Sequence, residues 1–373
     1  MALVDFYIIF FSVLFFLNIS ILLFIYDEKN TLKVDINRDS LAIFGAFIAA
    51  LIFMFYLNLL DYSYSDDFKQ YLRWFHEVAI IDDFSDLERE KDLGFSYLLY
   101  LLSRFTSSNT IFTLLLSIFV LLFISSISQH DRVKFFNFES MFILFTILLL
   151  NRMALEHYFN IIRSFVCSAV LIYVLLKFFR SKYIWLALIP LMYFIHKMQF
   201  LLFFIFLFLA VILPVRVLIV LIIIGVINIF TDASSQVIAS QMIKYINYIT
   251  DFYSNSGLTG DLVFSFSKKL QVGFYIIIPL LLLYTQTITN WGFVSIVSRK
   301  DAFLIKYIYL LSGVYFLFVS VFPVADRLTV ILIPLLYIMF IKYVPRKIVV
   351  TYSLCVVAFN YIALIRNSAY LNV

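Results

Sequence analysis

The chain has 373 residues, of which 64% are hydrophobic, 20% aromatic and only 14% charged, with a formal net charge of +5 and a mean hydropathy of +1.01. Soluble domains carry about 25% charged residues, so this composition excludes a soluble globular protein and implies a polytopic membrane protein. No basic cluster is interleaved with aromatics, which excludes nucleic acid as a partner. The two cysteines, Cys167 and Cys355, sit in apolar stretches, which argues against a disulfide framework or a thiolate metal site.

Hydropathy predicts about twelve spans, near 6–26, 41–60, 109–128, 140–155, 161–179, 183–195, 198–213, 217–230, 272–289, 303–322, 328–342 and 348–365. Phe6–Tyr26 lacks a basic leader and a small-residue cleavage site, and reads as a retained span. No segment reads as a soluble second domain, so residues 1–373 form a single transmembrane domain. Residues 94–105 are too short to span and are expected to form an interfacial or re-entrant helix. Two connections stand out for length. Loop 61–108 carries ten carboxylates between Asp61 and Asp92, and loop 231–271 is mostly polar. Loops of this length are usually functional or disordered.

Placing the shorter connections on one side gives that side more than half of the 28 Lys/Arg and fewer than a third of the 23 Asp/Glu. The positive-inside rule then puts that side in the cytoplasm, with both termini and both long loops outside.

The run Tyr183–Leu213 is interrupted only by His196, Lys197 and Gln199. As one helix it would be about 46 Å long, against a hydrocarbon core of about 30 Å. Two short spans meeting at His-Lys-Met-Gln would instead put their turn below the bilayer surface. Charge survives at that depth only inside protein or beside a wet cavity, so the stretch reads as the floor of an outward-facing site.

Arg163 and Arg327 abut apolar spans, and each has two readings. One is snorkelling to the headgroups; the other is an anion clamp, because guanidinium offers planar bidentate bonds to phosphate. Arg152, Glu156, Asn160 and Arg163 recur at spacings of four, four and three, which on a continuous helix makes one polar stripe or an Arg–Glu pair. His196 is either a hydrogen-bonded helix contact or a general base. The acids of loop 61–108 read as a solvated surface. Asp82, Asp83 and Asp86 lack a histidine or second acidic cluster nearby, so no metal site is expected. No phosphate-binding glycine loop or hydrolase motif occurs in a fitting context, and no cofactor is implied.

Taken in order, the outer-side motifs resemble the EpsG-like branch of the Wzy-type polysaccharide polymerases. Asp67-Phe68-Lys69-Gln70-Tyr71 matches a D-(Y/F)-x-x-Y element, and Asp92-Leu93-Gly94-Phe95 matches E-x-G-(F/Y) with Asp for Glu. Arg163-Ser164 stands where that family has Arg-Gln opening a span. Phe194-Ile195-His196 stands for an F-x-H or F-H turn, and Arg327 opens a late span.

The resemblance implies an all-α, glycosyltransferase-C-like enzyme in the bacterial inner membrane with its active site facing the periplasm. Its donor and acceptor would be glycans linked to undecaprenyl pyrophosphate, with membrane lipid and a chain-length regulator as further partners. Arg163 and Arg327, with Arg152 and Tyr71, would bind substrate. His196, Asp67 or Asp92 would supply the base. An O-antigen ligase shares nearly all of this chemistry. A lipid-linked oligosaccharide flippase would instead place charges along a central path and show an internal repeat, which the chain lacks.

Overall fold

A computed structural model of the chain describes residues 66–82, 93–109, 162–178, 188–231, 266–289, 292–319 and 322–370, with a few isolated positions elsewhere. The described chain is mostly α-helical; the strands in it are Ile288–Thr289 and Gly292–Phe293, paired antiparallel. The chain divides into two compact units, residues 1–201 with 340–373, and residues 202–339.

In the first unit, part of the acidic loop is ordered where a solvated surface is expected. Asp66–Ala79 forms helix α1. Tyr71, Phe75 and Val78 recur at spacings of four and three and are buried, whereas Gln70, Arg73, His76 and Glu77 are exposed. That stripe gives the segment one apolar face to bury. Phe75 stacks on Phe112 with centroids 4.4 Å apart.

Leu93–Phe105 forms the short helix α2, close to the predicted 94–105, and packs on α1. Its last turns hold the end of α1. The Tyr100 hydroxyl donates to the Asp82 carbonyl at 3.2 Å, and the Arg104 guanidinium donates to the Ile81 carbonyl.

Helix α3, Ile162–Phe178, follows the predicted span and is buried along most of its length, from Ser164 to Leu176. A helix apolar on all sides belongs in the interior of a bundle. Leu188–Ile195 forms α4 and Lys197–Ile212 forms α5. The interruption between them is one residue, His196, where the predicted spans 183–195 and 198–213 leave residues 196 and 197 between them. The His196 N–H closes the last bond of α4 to Met192 O at 3.1 Å, and His196 O accepts the first bond of α5 from Phe200 N–H at 3.0 Å. Buried positions 192, 196, 199, 203, 206 and 210 keep helical spacing through the break. Helix α4 packs against both α2 and α3. Arg346–Tyr370 forms α11.

The second unit holds most of α5 together with α6, Val215–Thr231. A further helical run, Lys269–Thr287, is long and apolar enough to cross a membrane. It takes in the end of α7 (Phe266–Val272), a π-helical turn at Gly273–Ile277 and α8 (Ile278–Thr287). Proline cannot donate to the carbonyl four residues earlier. For Pro279 that carbonyl is Tyr275 O, which accepts the Tyr337 hydroxyl at 2.9 Å. Arg299–Leu317 forms α9, capped by Ser298, whose hydroxyl accepts from Asp301 N–H.

Helices α6 and α9 approach closely through glycines. A Cβ at Gly225 would come within 2.6 Å of Phe316 Cβ, and one at Gly313 within 2.7 Å of Leu221. Asn228 Nδ2 donates across the same contact to Phe316 O at 3.1 Å. Helix α10, Phe322–Tyr343, begins before the predicted span at 328. Pro323 stands in its first turn, where a missing N–H costs little.

Candidate functional site

In the first unit, α1, α2, α3 and α4 bring four of the sequence motifs into one ring of contacts. It begins at Arg163, half-buried in the first turn of α3. The guanidinium carbon lies 4.9 Å from the centroid of the Trp74 ring and 5.7 Å from that of Tyr71. Arg163 Nε points to the Tyr71 hydroxyl at 3.5 Å, a long contact.

Tyr71 is 6% exposed. It meets Trp74 edge-on at 5.7 Å and Phe95 edge-on at 5.6 Å. Edge-to-face rings at these distances are an attractive arrangement that also fixes orientation. Phe95, Tyr71 and Trp74 thus run from the core of α2 out to the arginine.

The residue before Phe95 closes the next side. Gly94 lies against the backbone of Phe194 and Ile195, the last residues of α4. His196 follows at once and is 7% exposed. Cys167, one turn after Arg163 on α3, returns to the same place. Its Sγ lies 3.6 Å from Met192 O and 3.9 Å from His196 O. Arg163 therefore stands about one helical turn, roughly 6 Å of rise along α3, from the residue whose thiol meets the segment carrying His196. Just beyond, Gln199 Nε2 donates to Ser168 Oγ at 2.7 Å, and both residues are buried. Lys197 is exposed, with its Nζ 5.7 Å from the Tyr193 ring centroid.

The ring therefore joins Tyr71, Gly94-Phe95, Arg163 and the chain at His196. Asp67 lies in the first turn of α1, and its side chain is outside the described set. Asp92 and Arg152 lie outside the described residues, as do Asp83, Asp86 and residues 232–265. Arg327 belongs to the second unit, half-buried in the second turn of α10 and not at the start of its helix. Among the described residues, no group of three or more His, Cys, Asp or Glu could hold a metal ion.

Two participants are not legible as site residues in the sequence alone. Trp74 stands three residues after Tyr71, so helical spacing could have placed the two rings side by side. Cys167 gave no signal beyond its apolar surroundings.

An apolar, mostly helical chain with this half-buried aromatic and arginine cluster is consistent with an α-helical membrane protein. The EpsG family model matches residues 44–371, and the chain belongs to the EpsG family. That family is associated with Wzy-type polymerases and so with polysaccharide biosynthesis. Neither a curated protein nor a solved structure matches the chain.

Proposed function

We propose that this protein polymerises oligosaccharide repeat units carried on undecaprenyl pyrophosphate, at the periplasmic face of the inner membrane, within a fold of about twelve spans. The terminal hydroxyl of the acceptor unit attacks the anomeric carbon of the donor glycan. The new glycosidic C–O bond forms as the bond from that carbon to pyrophosphate breaks. Undecaprenyl pyrophosphate leaves with the electron pair, and a base takes the hydroxyl proton. The pyrophosphate bond supplies the driving force, so no nucleotide sugar is required.

This chemistry needs a fixed positive charge where the leaving group gathers negative charge, and such preorganised stabilisation is worth several kcal/mol. Arg163 is suited to it, and the observation that carries the reading is its seating over Trp74 and Tyr71, one turn of α3 before Cys167, whose thiol meets His196 O. Arg327 and Arg152 are the further candidate substrate-binding residues in this reading. His196 is the first choice for the base, typically worth 10²–10⁴-fold, with Asp67 and Asp92 as alternatives. Tyr71 is buried and acts through Arg163.

The test is the surface-glycan ladder of a strain lacking the protein. A ladder reduced to a single capped repeat supports a polymerase. Loss of all attached glycan would instead support a ligase or a flippase.

A further inference from the structure

We propose that Trp74 is a positioning residue for Arg163, and that the cation–π strength of the ring at position 74 sets how tightly Arg163 grips a pyrophosphate group. The inference rests on the reading of Arg163 as an anion-binding residue.

Three observations carry it. The first is geometric. The Arg163 guanidinium carbon is nearer the Trp74 ring centroid, at 4.9 Å, than that of Tyr71, at 5.7 Å. Indole is also the strongest of the aromatic partners for a cation. The second is that the ring is itself held. Trp74 meets Tyr71 edge-on, Tyr71 meets Phe95 edge-on, and Phe95 is 1% exposed in α2. A side chain at the end of such a series has little freedom to follow a moving arginine. The third is the chemistry of guanidinium. The in-plane N–H edge is what binds phosphate oxygens in pairs, so a partner that holds the guanidinium also sets the direction in which that edge can grip.

Arginine carries a large side-chain rotamer entropy, part of which an unheld side chain loses on binding an anion. Holding the guanidinium on a fixed indole removes part of that loss in advance, which is the general benefit of preorganisation. Lysine can also sit over an indole, but it has no planar fork for the ring to orient, so the orienting part of the Trp74 role needs arginine at 163.

The experiment uses the full chain in detergent, with tryptophan at position 74 replaced site-specifically by mono-, di- and trifluorinated tryptophan. Fluorine withdraws charge from the ring face while nearly preserving its shape. The probe is farnesyl pyrophosphate, with farnesol as the uncharged control, and the readouts are Kd and thermal midpoint.

The proposal expects Kd for the pyrophosphate to rise stepwise with fluorination, by about 2- to 30-fold across the series. Farnesol binding and the thermal midpoint should stay constant. Trp74→Phe should fall within the series and Trp74→Leu at its weak end. A flat series, in a protein that binds farnesyl pyrophosphate through Arg163, overturns the positioning role and leaves the anion-binding reading standing. A native protein that binds farnesyl pyrophosphate no better than farnesol overturns both.

Discussion

Gly94 of α2 lies against the backbone of Phe194 in α4. A Cβ at that position would stand 2.9 Å from the Phe194 carbonyl carbon, 3.0 Å from its oxygen and 3.1 Å from Ile195 N. These are backbone atoms and cannot rotate aside. The contact places α2 beside the residue preceding His196, and with it Phe95, the inner end of the aromatic series under Arg163. Gly94→Ala should therefore destabilise the protein by about 1–3 kcal/mol, the usual cost of overpacking. That outweighs the helix-propensity gain of alanine over glycine, up to about 1 kcal/mol in a helix interior and less at Gly94 in the first turn of α2. Polymerisation should fall with it. Thermal unfolding in detergent is the check, and a raised midpoint would show that the two helices do not meet there.

Arg163 and Arg327 invite a charge-conserving test. Lysine at either position keeps the charge but loses the planar fork, and at 163 it also loses the guanidinium that Trp74 orients. Arg163→Lys and Arg327→Lys should each abolish most polymerisation while the proteins insert normally. Near-normal ladders from both would return the two residues to anchoring at the headgroups.

His196 has two possible roles that substitution separates. If it takes the proton or orients the acceptor hydroxyl, His196→Gln should cut turnover by about 10²-fold or more with little effect on stability. If it only ties helices together, the change should cost about 0.6 kcal/mol, the average for side-chain bonds between membrane helices. Turnover on purified lipid-linked repeat units, measured beside the thermal midpoint, decides between them. A stable variant with ordinary turnover moves the base to Asp67 or Asp92.

The direction of the chain across the membrane is open to labelling. With Cys167 and Cys355 replaced, Ser256→Cys in the long polar loop should react with an impermeant thiol reagent from the periplasm. Ser295→Cys should not. Ser295 is exposed beside the strand pair and is preferable to Ser298, whose hydroxyl caps α9. The reverse pattern would put every proposed site residue in the cytoplasm.

Much of this protein is local and so readable from residue order. The apolar runs predict α3, α5, α6 and the long segment ending at Thr287 to within a few residues, because burial in lipid or protein interior demands continuous hydrophobicity. The polar interruption at residues 196–199 marks the break between α4 and α5 for the same reason, and Arg163 stands out because charge beside such a run is costly. What each face meets is a different kind of information. Tyr71 and Arg163 are 92 residues apart, and Cys167 and His196 are 29 apart. Periodicity shows that α1 has an apolar stripe, but not that its rings end under a particular guanidinium. Nor does the presence of Gly94 in a motif say whose backbone it admits. Those pairings depend on the packing of α1, α2 and α4 around α3, where side-chain shape and helix approach select one set of contacts from the many that the same apolar faces would allow.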